Sequence, residues 1–323
     1  MNVIYHCYGG AHSSVMAAAI HVGRITDPER VSTREVLALP YFDMQDQAEL
    51  GRIRRVGTDA AGNSVYVLGR GNQSKLAVRV LTSFARGLQI DPRSYLLADV
   101  LTYVNPIMVL GGSLSRRYKV VGPGRAIVAE GTRRAAPHLA GGVERARAKM
   151  ADQAKIDAGQ ARRAGCPIIV YHCYGNSYPA ALAGALHTRV FRPGERPHLP
   201  EEVWRALRQH PVGEAVAFGH DRQGNTVMAC GFGPGNQVMS QALSDFLEVS
   251  GIAPEQVTFV DVSRLRNVQL RVGAFLLSHG IVLGQGRRLL EAGYMAQDRR
   301  FGEIVEGHGR ISPALDPSRP AGG

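Results

Sequence analysis

Short apolar runs of strand length alternate along the chain with segments whose alanines and other apolar residues suit a buried helix. The first run, residues 3–7, passes through a glycine turn into an apolar helix at about 13–22. Two further strands, at 53–57 and 64–68, are separated by a turn at Gly62 and read as a hairpin. This alternation predicts an α/β fold: a mainly parallel sheet in a three-layer domain, with one antiparallel hairpin.

Beyond the hairpin, the pattern predicts a helix that begins near Asn72 and a strand over 95–102. Asn105 and Pro106 are a suitable cap and first residue for the next helix. A last strand at 126–130 and a last helix complete the predicted unit.

The same pattern occurs twice. Residues 5–9, Tyr-His-Cys-Tyr-Gly, recur at 171–175, and later landmarks such as Asp99 and Asp261 are held at one offset of 162 residues. The second copy has its counterpart of the last strand at 287–291. Because the period is far too long for a solenoid, the pattern indicates two tandem copies of one domain.

The repeat sets the expected domain bounds. The first copy spans 1–150 and the second 166–311, with the boundary in a charged linker. The end of the chain, 312–323, is rich in proline, glycine and serine and is expected to be disordered.

Composition limits the class of protein. The 323 residues are 45% hydrophobic and 20% charged, and no apolar run approaches the roughly 20 residues that cross a bilayer. The first residues carry no basic segment or cleavage site, so we expect a cytoplasmic protein without a membrane partner. The four cysteines form no Cys-x-x-Cys pair and fit no zinc spacing, so neither a metal site nor a cofactor is predicted.

The formal net charge of +11 is compatible with two kinds of partner. A nucleic acid is the weaker one, because the basic residues are dispersed and few aromatic residues lie among them, Tyr118 being the best placed. A basic surface also attracts small phosphorylated ligands.

Candidate chemistry is concentrated between the first strand and its helix, in Cys-Tyr-Gly-Gly-Ala-His-Ser-Ser over 7–14. Gly9 and Gly10 let backbone N–H groups turn inward, and a helix N-terminus adds positive potential, which together favour an anion. The hydroxyls of Ser13 and Ser14 are candidate ligands of that anion or caps of the helix.

Two residues of this loop are candidate catalysts, and two arginines elsewhere are candidate ligands. Cys7 is a candidate nucleophile at a strand end, and His12 a candidate acid or base. Arg70 follows a second glycine turn, and Arg116 follows Gly-Gly-Ser-Leu-Ser; each is predicted to contact the anion.

The loop resembles the phosphocysteine loop of the sugar-phosphotransferase IIB proteins, and in layout the low-molecular-weight tyrosine phosphatases and arsenate reductases. Those phosphatases carry an arginine where this chain has Ser13, so the resemblance to the IIB loop is the better one. It implies a phosphoryl group bound at, and transferred through, Cys7.

A broader resemblance covers most of each copy. The opening segment 5–14, with Leu-Pro-Tyr-Phe-Asp at 39–43, Gly69 and Gly-Gly-Ser-Leu-Ser-Arg at 111–116, is similar to an uncharacterised family of Firmicutes proteins, domain of unknown function 3189. In that family Gly-Gly-x-His-Ser is the more regular part of the loop. The resemblance therefore favours binding through backbone, histidine and serines over a covalent role for the cysteine.

The second copy keeps the bend of the loop but loses its polar residues, including one backbone donor at the new proline. Position for position, Gly10 becomes Asn176, His12 becomes Tyr178, Ser13 becomes Pro179 and Ser14 becomes Ala180. The functional prediction therefore lies in the first copy, with a structural or regulatory second copy.

Other polar residues have simpler interpretations. His21 and its counterpart His187 are expected to pack in the helix or cap its end, and Asp59 to stabilise a turn. Three functions stay open: an anion-binding domain with phosphoryl-transfer or hydrolase activity, a non-catalytic regulator with a pseudo-symmetric two-domain site, and, last, a nucleic-acid binder. The sequence does not distinguish an enzyme from a binding protein.

Overall fold

The computed structural model of the chain describes residues 1–44, 49–116, 121–155 and 166–309. Two compact units are present. Unit 1 contains Met1–Ala164 and Gly235–Glu255, and unit 2 contains Gly165–Pro234 and Gln256–Gly323. Within the described part of the chain, no helix is long and apolar enough to cross a membrane.

Unit 1 is built on a four-stranded sheet. Its strands are β1 Asn2–Cys7, β2 Ile53–Thr58, β3 Ser64–Gly69 and β4 Tyr95–Asp99. The order is β2-β3-β1-β4, so β1 is central and runs parallel to both β3 and β4, while β2 is antiparallel to β3. The register places Cys7 opposite Gly69 and His6 opposite Asp99, so the carboxyl ends of three strands meet at one edge.

Helices surround this sheet. They are α1 Ser13–His21, α2 Thr33–Leu37, α3 Ser74–Gly87, α4 Pro106–Arg116 and α5 Val121–Gln153. Every residue of α1 is buried, as its alanine-rich sequence predicts. The predicted cap of α4 is confirmed, because Asn105 Oδ1 accepts a hydrogen bond of 2.9 Å from the backbone N–H of Met108.

The strand predicted at 126–130 is wrong, because these residues belong to α5. Their apolar positions continue at helical spacing through Val128, Thr132, Ala136 and Leu139, all fully buried. Residues 126–129 are apolar, and a four-residue apolar run does not by itself distinguish a strand from a buried helical turn. The strand predicted at 287–291, Arg-Arg-Leu-Leu-Glu, is also wrong, because these residues lie within the helix Leu283–Met295.

Unit 1 also contains one helix from the second sequence copy, α8 Asn236–Val249. The backbone N–H of Ile53 donates to Asp245 Oδ2 at 2.7 Å, and the rings of Tyr95 and Phe246 meet edge to face at 5.1 Å. A Cβ on Gly51 would lie 2.4 Å from the carbonyl oxygen of Val238, so only glycine fits this contact. Residues 235–255 thus belong to one sequence copy and to the compact unit of the other.

Unit 2 repeats the topology. Its strands are β5 Ile168–Cys173, β6 Val216–His220, β7 Thr226–Gly231 and β8 Val257–Asp261, in the order β6-β7-β5-β8. Its helices are α6 Tyr178–His187, α7 Glu201–Gln209, α9 Val268–Ser278, α10 Leu283–Met295 and α11 Asp298–Gly309. The predicted α/β class, with parallel strands and one antiparallel hairpin in each copy, is confirmed.

Candidate functional site

The loop between β1 and α1 lies at the carboxyl end of the central strand, where open α/β sheets bind ligands. Gly10 has a φ of 68°, a conformation that favours glycine. A Cβ on Gly69 would lie 2.5 Å from the carbonyl oxygen of Gly9, so the end of β3 contacts the loop through bare backbone. The N–H of Gly71 donates to the carbonyl of Tyr8 at 2.8 Å and fastens the turn.

The thiol of Cys7 is buried beneath this loop. Its Sγ accepts the backbone N–H of Gly10 at 3.2 Å and lies 3.2 Å from Ser14 Oγ. Donors directed at sulfur stabilise a thiolate. The second copy differs, because Cys173 Sγ donates to the carbonyl of Asn176 at 3.0 Å and burial raises the pKa of Cys173 to about 12.

His12 precedes the first turn of α1 and is held by a carboxylate. Its Nε2 lies 3.0 Å from Asp43 Oδ1, and Ser115 Oγ donates to Asp43 Oδ2 at 2.9 Å. The Asp43 side chain is only 2% exposed, and that residue has a φ of 54°. With a carboxylate as acceptor we assign the proton to Nε2. Asp43 thus orients His12 and places negative charge against it.

Two neighbours enclose the imidazole. The ring of Phe42 lies 5.4 Å from that of His12, centre to centre, and a Cβ on Gly112 would lie 3.4 Å from His12 Cε1. Gly111 allows α4 to approach α5, because a Cβ there would lie 2.3 Å from the backbone nitrogen of Val128. The Gly-Gly pair therefore allows close helix packing on one side and room for His12 on the other.

Ser13 opens α1 with its hydroxyl buried. The residue is 1% exposed, and Oγ has no hydrogen-bond partner among the described residues. A buried hydroxyl without a partner costs about 1–3 kcal/mol, so a ligand atom that accepts a hydrogen bond from Ser13 would be stabilised there.

Arg70, a predicted ligand residue, is fully buried and engaged within the protein. Its Nη2 lies 2.9 Å from Asp99 Oδ2, and its Nε donates to His6 Nδ1 at 2.9 Å. A third hydrogen bond goes to the carbonyl of Gly71. An anion at the loop would therefore compete with Asp99 for this guanidinium. The side chain of Arg116 and the whole of Tyr118 lie outside the described residues.

Arg125 is a cation that the sequence interpretation did not include. It is half-buried near the start of α5, and its Nε is buried without a hydrogen-bond partner in the described chain. A Cβ on the preceding Gly124 would lie 2.5 Å from the backbone nitrogen of Ser115. The available sequence signal was the repeat, which pairs Arg125 with Arg287.

A Tyr-His-Asp relay on the strand and helix of each copy was also missed. The tyrosine hydroxyl contacts histidine Nδ1 at 2.7 Å in the first copy and 2.6 Å in the second, and Nε2 contacts the aspartate at 3.2 and 3.1 Å. The residues are Tyr5, His21 and Asp59, and Tyr171, His187 and Asp221. The second copy keeps these contacts although its loop is degenerate. We therefore interpret the relay as structural, connecting the strand, the helix and the hairpin.

Acid is expected to destabilise unit 1 through His6. Burial lowers the pKa of His6 from 6.5 to about 4, with Asp99 opposing and Arg70 assisting the shift. The unfolded chain then binds a proton that the folded chain does not, so stability is complete above pH 6.5 and falls as the pH drops towards 4. The loss is about 3 kcal/mol. Urea unfolding followed by circular dichroism between pH 7.5 and 4.5 measures it.

The matched variant is His6→Asn, whose amide oxygen can accept from Arg70 but does not titrate in this range. Its free energy of unfolding should change less between pH 6.5 and 4.5 than that of the wild type. Equal slopes for the two proteins in this range would show that His6 is not the titrating group.

Comparison with known proteins matched one family twice. The model of the family described as a protein of unknown function, DUF3189, matches residues 2–148 and 168–308. No curated protein and no solved structure matches the chain. Because the two matches cover most of the sequence and fall on its two copies, the chain belongs to the DUF3189 family as a tandem duplication.

Proposed function

We propose that the first copy binds a phosphate-bearing or similar small anion at the loop over residues 8–14. The observation that carries the proposal is the buried hydroxyl of Ser13, which has no partner among the described residues. It stands at a helix N-terminus, beside a glycine turn and next to His12. Backbone N–H groups and a hydroxyl in this arrangement suit the oxygens of a tetrahedral anion.

His12 supplies positive charge in this proposal. The Asp43 carboxylate, 3.0 Å from Nε2, stabilises a protonated ring, and a carboxylate behind a histidine also fixes its orientation. Ser115 holds the second oxygen of that carboxylate. The imidazolium can then donate to the bound anion or to a leaving group.

Arg125 is the second cation that we assign to the ligand. Its counterpart Arg287 lies over the ring of Trp204 at 4.8 Å, and that ring lies 5.8 Å from Tyr178. Tyr178 occupies the position of His12 in the second copy. The repeat therefore supports a location for Arg125 near His12.

A catalytic version of this function is supported by the two contacts on Cys7 Sγ. A thiolate there would attack phosphorus while the bond from phosphorus to the alcohol oxygen breaks, and His12 would protonate that oxygen. Water would then hydrolyse the cysteinyl phosphate to thiol and phosphate. Binding does not require this step, so Cys7→Ser distinguishes the catalytic protein from a protein that only binds. The variant should bind phosphate as the wild type does but release no phosphate from an aryl phosphate.

Phosphate binding tests the proposal directly. Inorganic phosphate or sulfate should raise the Tm of the wild type with saturation, because a ligand that binds only the folded state stabilises it. Ser13→Ala should raise the Tm of the free protein, since it removes a buried hydroxyl without a partner, and weaken phosphate binding about tenfold, or ~1.4 kcal/mol.

Ser250→Ala is a matched control, because Ser250 Oγ is also buried without a partner among the described residues but lies just after α8. It should leave phosphate binding unchanged. The proposal is wrong if neither anion stabilises the wild type, or if Ser13→Ala binds phosphate as the wild type does.

A further inference from the structure

Unit 2 contains a cavity of about 520 Å³ on the side of the Tyr-His-Asp relay. It lies between the end of α6, the segment that follows that helix, the turn between β6 and β7, and α11. Its volume is within the range of roughly 300–1,000 Å³ that is typical of small-molecule sites. The cavity is composed of residues of the second copy only.

Three arginines line this cavity: Arg189, Arg192 and Arg222. None of the three guanidinium groups has an ion pair or hydrogen bond within the described residues. Asp221, also in the lining, is engaged by His187 at 3.1 Å and by Asn225 at 2.8 Å. Burial lowers the pKa of His187, so that ring is neutral near pH 7. The three arginines are exposed, and the lining also holds Asp221 and Glu306, so it carries one positive charge more than it has carboxylates.

The repeat shows that these arginines are particular to the second copy. Arg189 takes the place of Gly23, Arg192 that of Thr26, and Arg222 that of Ala60. In the first copy, α5 continues without a break past the relay, and Arg147 Nη2 donates to the carbonyl of His21 at 3.2 Å. The second copy divides the same helical region into α10 and α11.

Arg189 has a left-handed backbone conformation. Its φ is 60°, close to the 76° of Gly23 at the same position of the first copy. A residue with a Cβ loses free energy there relative to glycine, and the position is the left-handed end of α6, where the N–H of Val190 donates to the carbonyl of Ala185 at 2.9 Å. The second copy thus keeps a strained arginine where glycine would be relaxed.

The inner wall of the cavity is apolar. Leu186 and Phe191 are buried, and Val305 of α11 is half-buried beside them. An occupant with an apolar or weakly polar body and negative groups at its end would match this wall and the arginines. Glu306 is the remaining acidic side chain of the lining, and with Asp221 it leaves the arginines in excess.

We propose that unit 2 binds a small organic anion with at least two negative charges in this cavity, held by Arg189, Arg192 and Arg222. The site is separate from the loop of the first copy and does not depend on the function proposed for that loop. It gives the second copy a binding role of its own, although its loop has lost the histidine and serines.

Arg189→Gly gives the sharpest test, because it restores the residue of the first copy. Relief of the backbone strain should raise the Tm of the free protein by about 2 °C. Binding should weaken at least tenfold. The probes are citrate, pyrophosphate and adenosine monophosphate, titrated calorimetrically into the full chain; at least one should bind the wild type with saturation. Arg222→Ala should weaken that binding similarly.

Arg300→Ala is the matched control, an exposed arginine of α11 outside the cavity lining, and it should bind as the wild type does. Because the loop of the first copy is also expected to bind phosphate-bearing probes, the cavity variants are compared in a Ser13→Ala background, in which binding at the cavity should persist. If none of the three probes binds the wild type, or if Arg189→Gly and Arg222→Ala bind undiminished, the proposal is overturned.

Discussion

Replacing Arg70 by methionine is expected to lower the free energy of unfolding of unit 1 by about 2 kcal/mol. Methionine fills much of the space but leaves Asp99 without its cation and His6 Nδ1 without its donor, contacts that are 2.9 Å long in the folded protein. Arg70 is 1% exposed and Asp99 39% exposed, so water partly compensates the carboxylate and much of the loss comes from the hydrogen bonds of the buried guanidinium. Urea unfolding followed by circular dichroism gives the value.

A double variant separates the contribution of the ion pair to stability from the contribution of packing. Asp99→Asn keeps an acceptor for the backbone N–H of Leu101 while removing the charge. Combined with Arg70→Met, it should cost less than the sum of the two single changes by at least about 1 kcal/mol. Additive losses, or a loss below about 1 kcal/mol for Arg70→Met alone, would mean that this guanidinium does not stabilise the edge of the sheet.

The repeat and the alternation of apolar runs were sufficient to predict the fold class. Each hairpin carries its own turn signal in the sequence, and the alanine-rich segment at 13–22 folds as a helix buried all round. The error at 126–130 has a physical cause, since the four apolar residues at 126–129 fit either a buried strand or a buried helix. The association of α8 with unit 1 depends on contacts between residues about 190 positions apart, for which the local pattern has no signal.

The candidate site was predicted only where its residues are neighbours in the chain. The loop over 7–14 contains the cysteine, the histidine and both serines, and its glycine turn is visible in the sequence. Asp43 is 31 residues from His12, in a segment without regular structure, and its left-handed backbone gives no periodic signal. Arg70 was read as a ligand because a glycine turn precedes it, while its pairing with Asp99 depends on the register of three strands.

The two copies differ in which chemical groups they leave without internal partners. In the first copy these include the hydroxyl of Ser13 in the loop and Nε of the half-buried Arg125 in α5. In the second copy they include arginines around a cavity, together with Asn176 Oδ1 and the Tyr178 hydroxyl, which are buried at the degenerate loop. Duplication keeps the strands and the Tyr-His-Asp relay in both copies, since these hold the fold together. We infer that the positions free of that constraint diverged towards two different anionic ligands.

Asp43→Asn is expected to weaken phosphate binding by unit 1 about tenfold at pH 7 while leaving the Tm within a few degrees. Asparagine tolerates the left-handed backbone and can still bond His12 and Ser115, so the loop keeps its geometry. The change removes the negative charge that stabilises a protonated His12. Fewer molecules then carry an imidazolium towards the anion, and the loss should be larger at pH 8 than at pH 6.

The sign of this effect discriminates between two physical accounts of the loop. If His12 were only a packing residue, deleting a carboxylate near the site would reduce repulsion and strengthen phosphate binding. The function proposed here requires the opposite result, because the carboxylate acts through the imidazole. Asp152→Asn changes the net charge equally at an exposed position of α5 and should leave phosphate binding unaltered. Tighter binding by Asp43→Asn than by Asp152→Asn would therefore exclude His12 as the cation of the site.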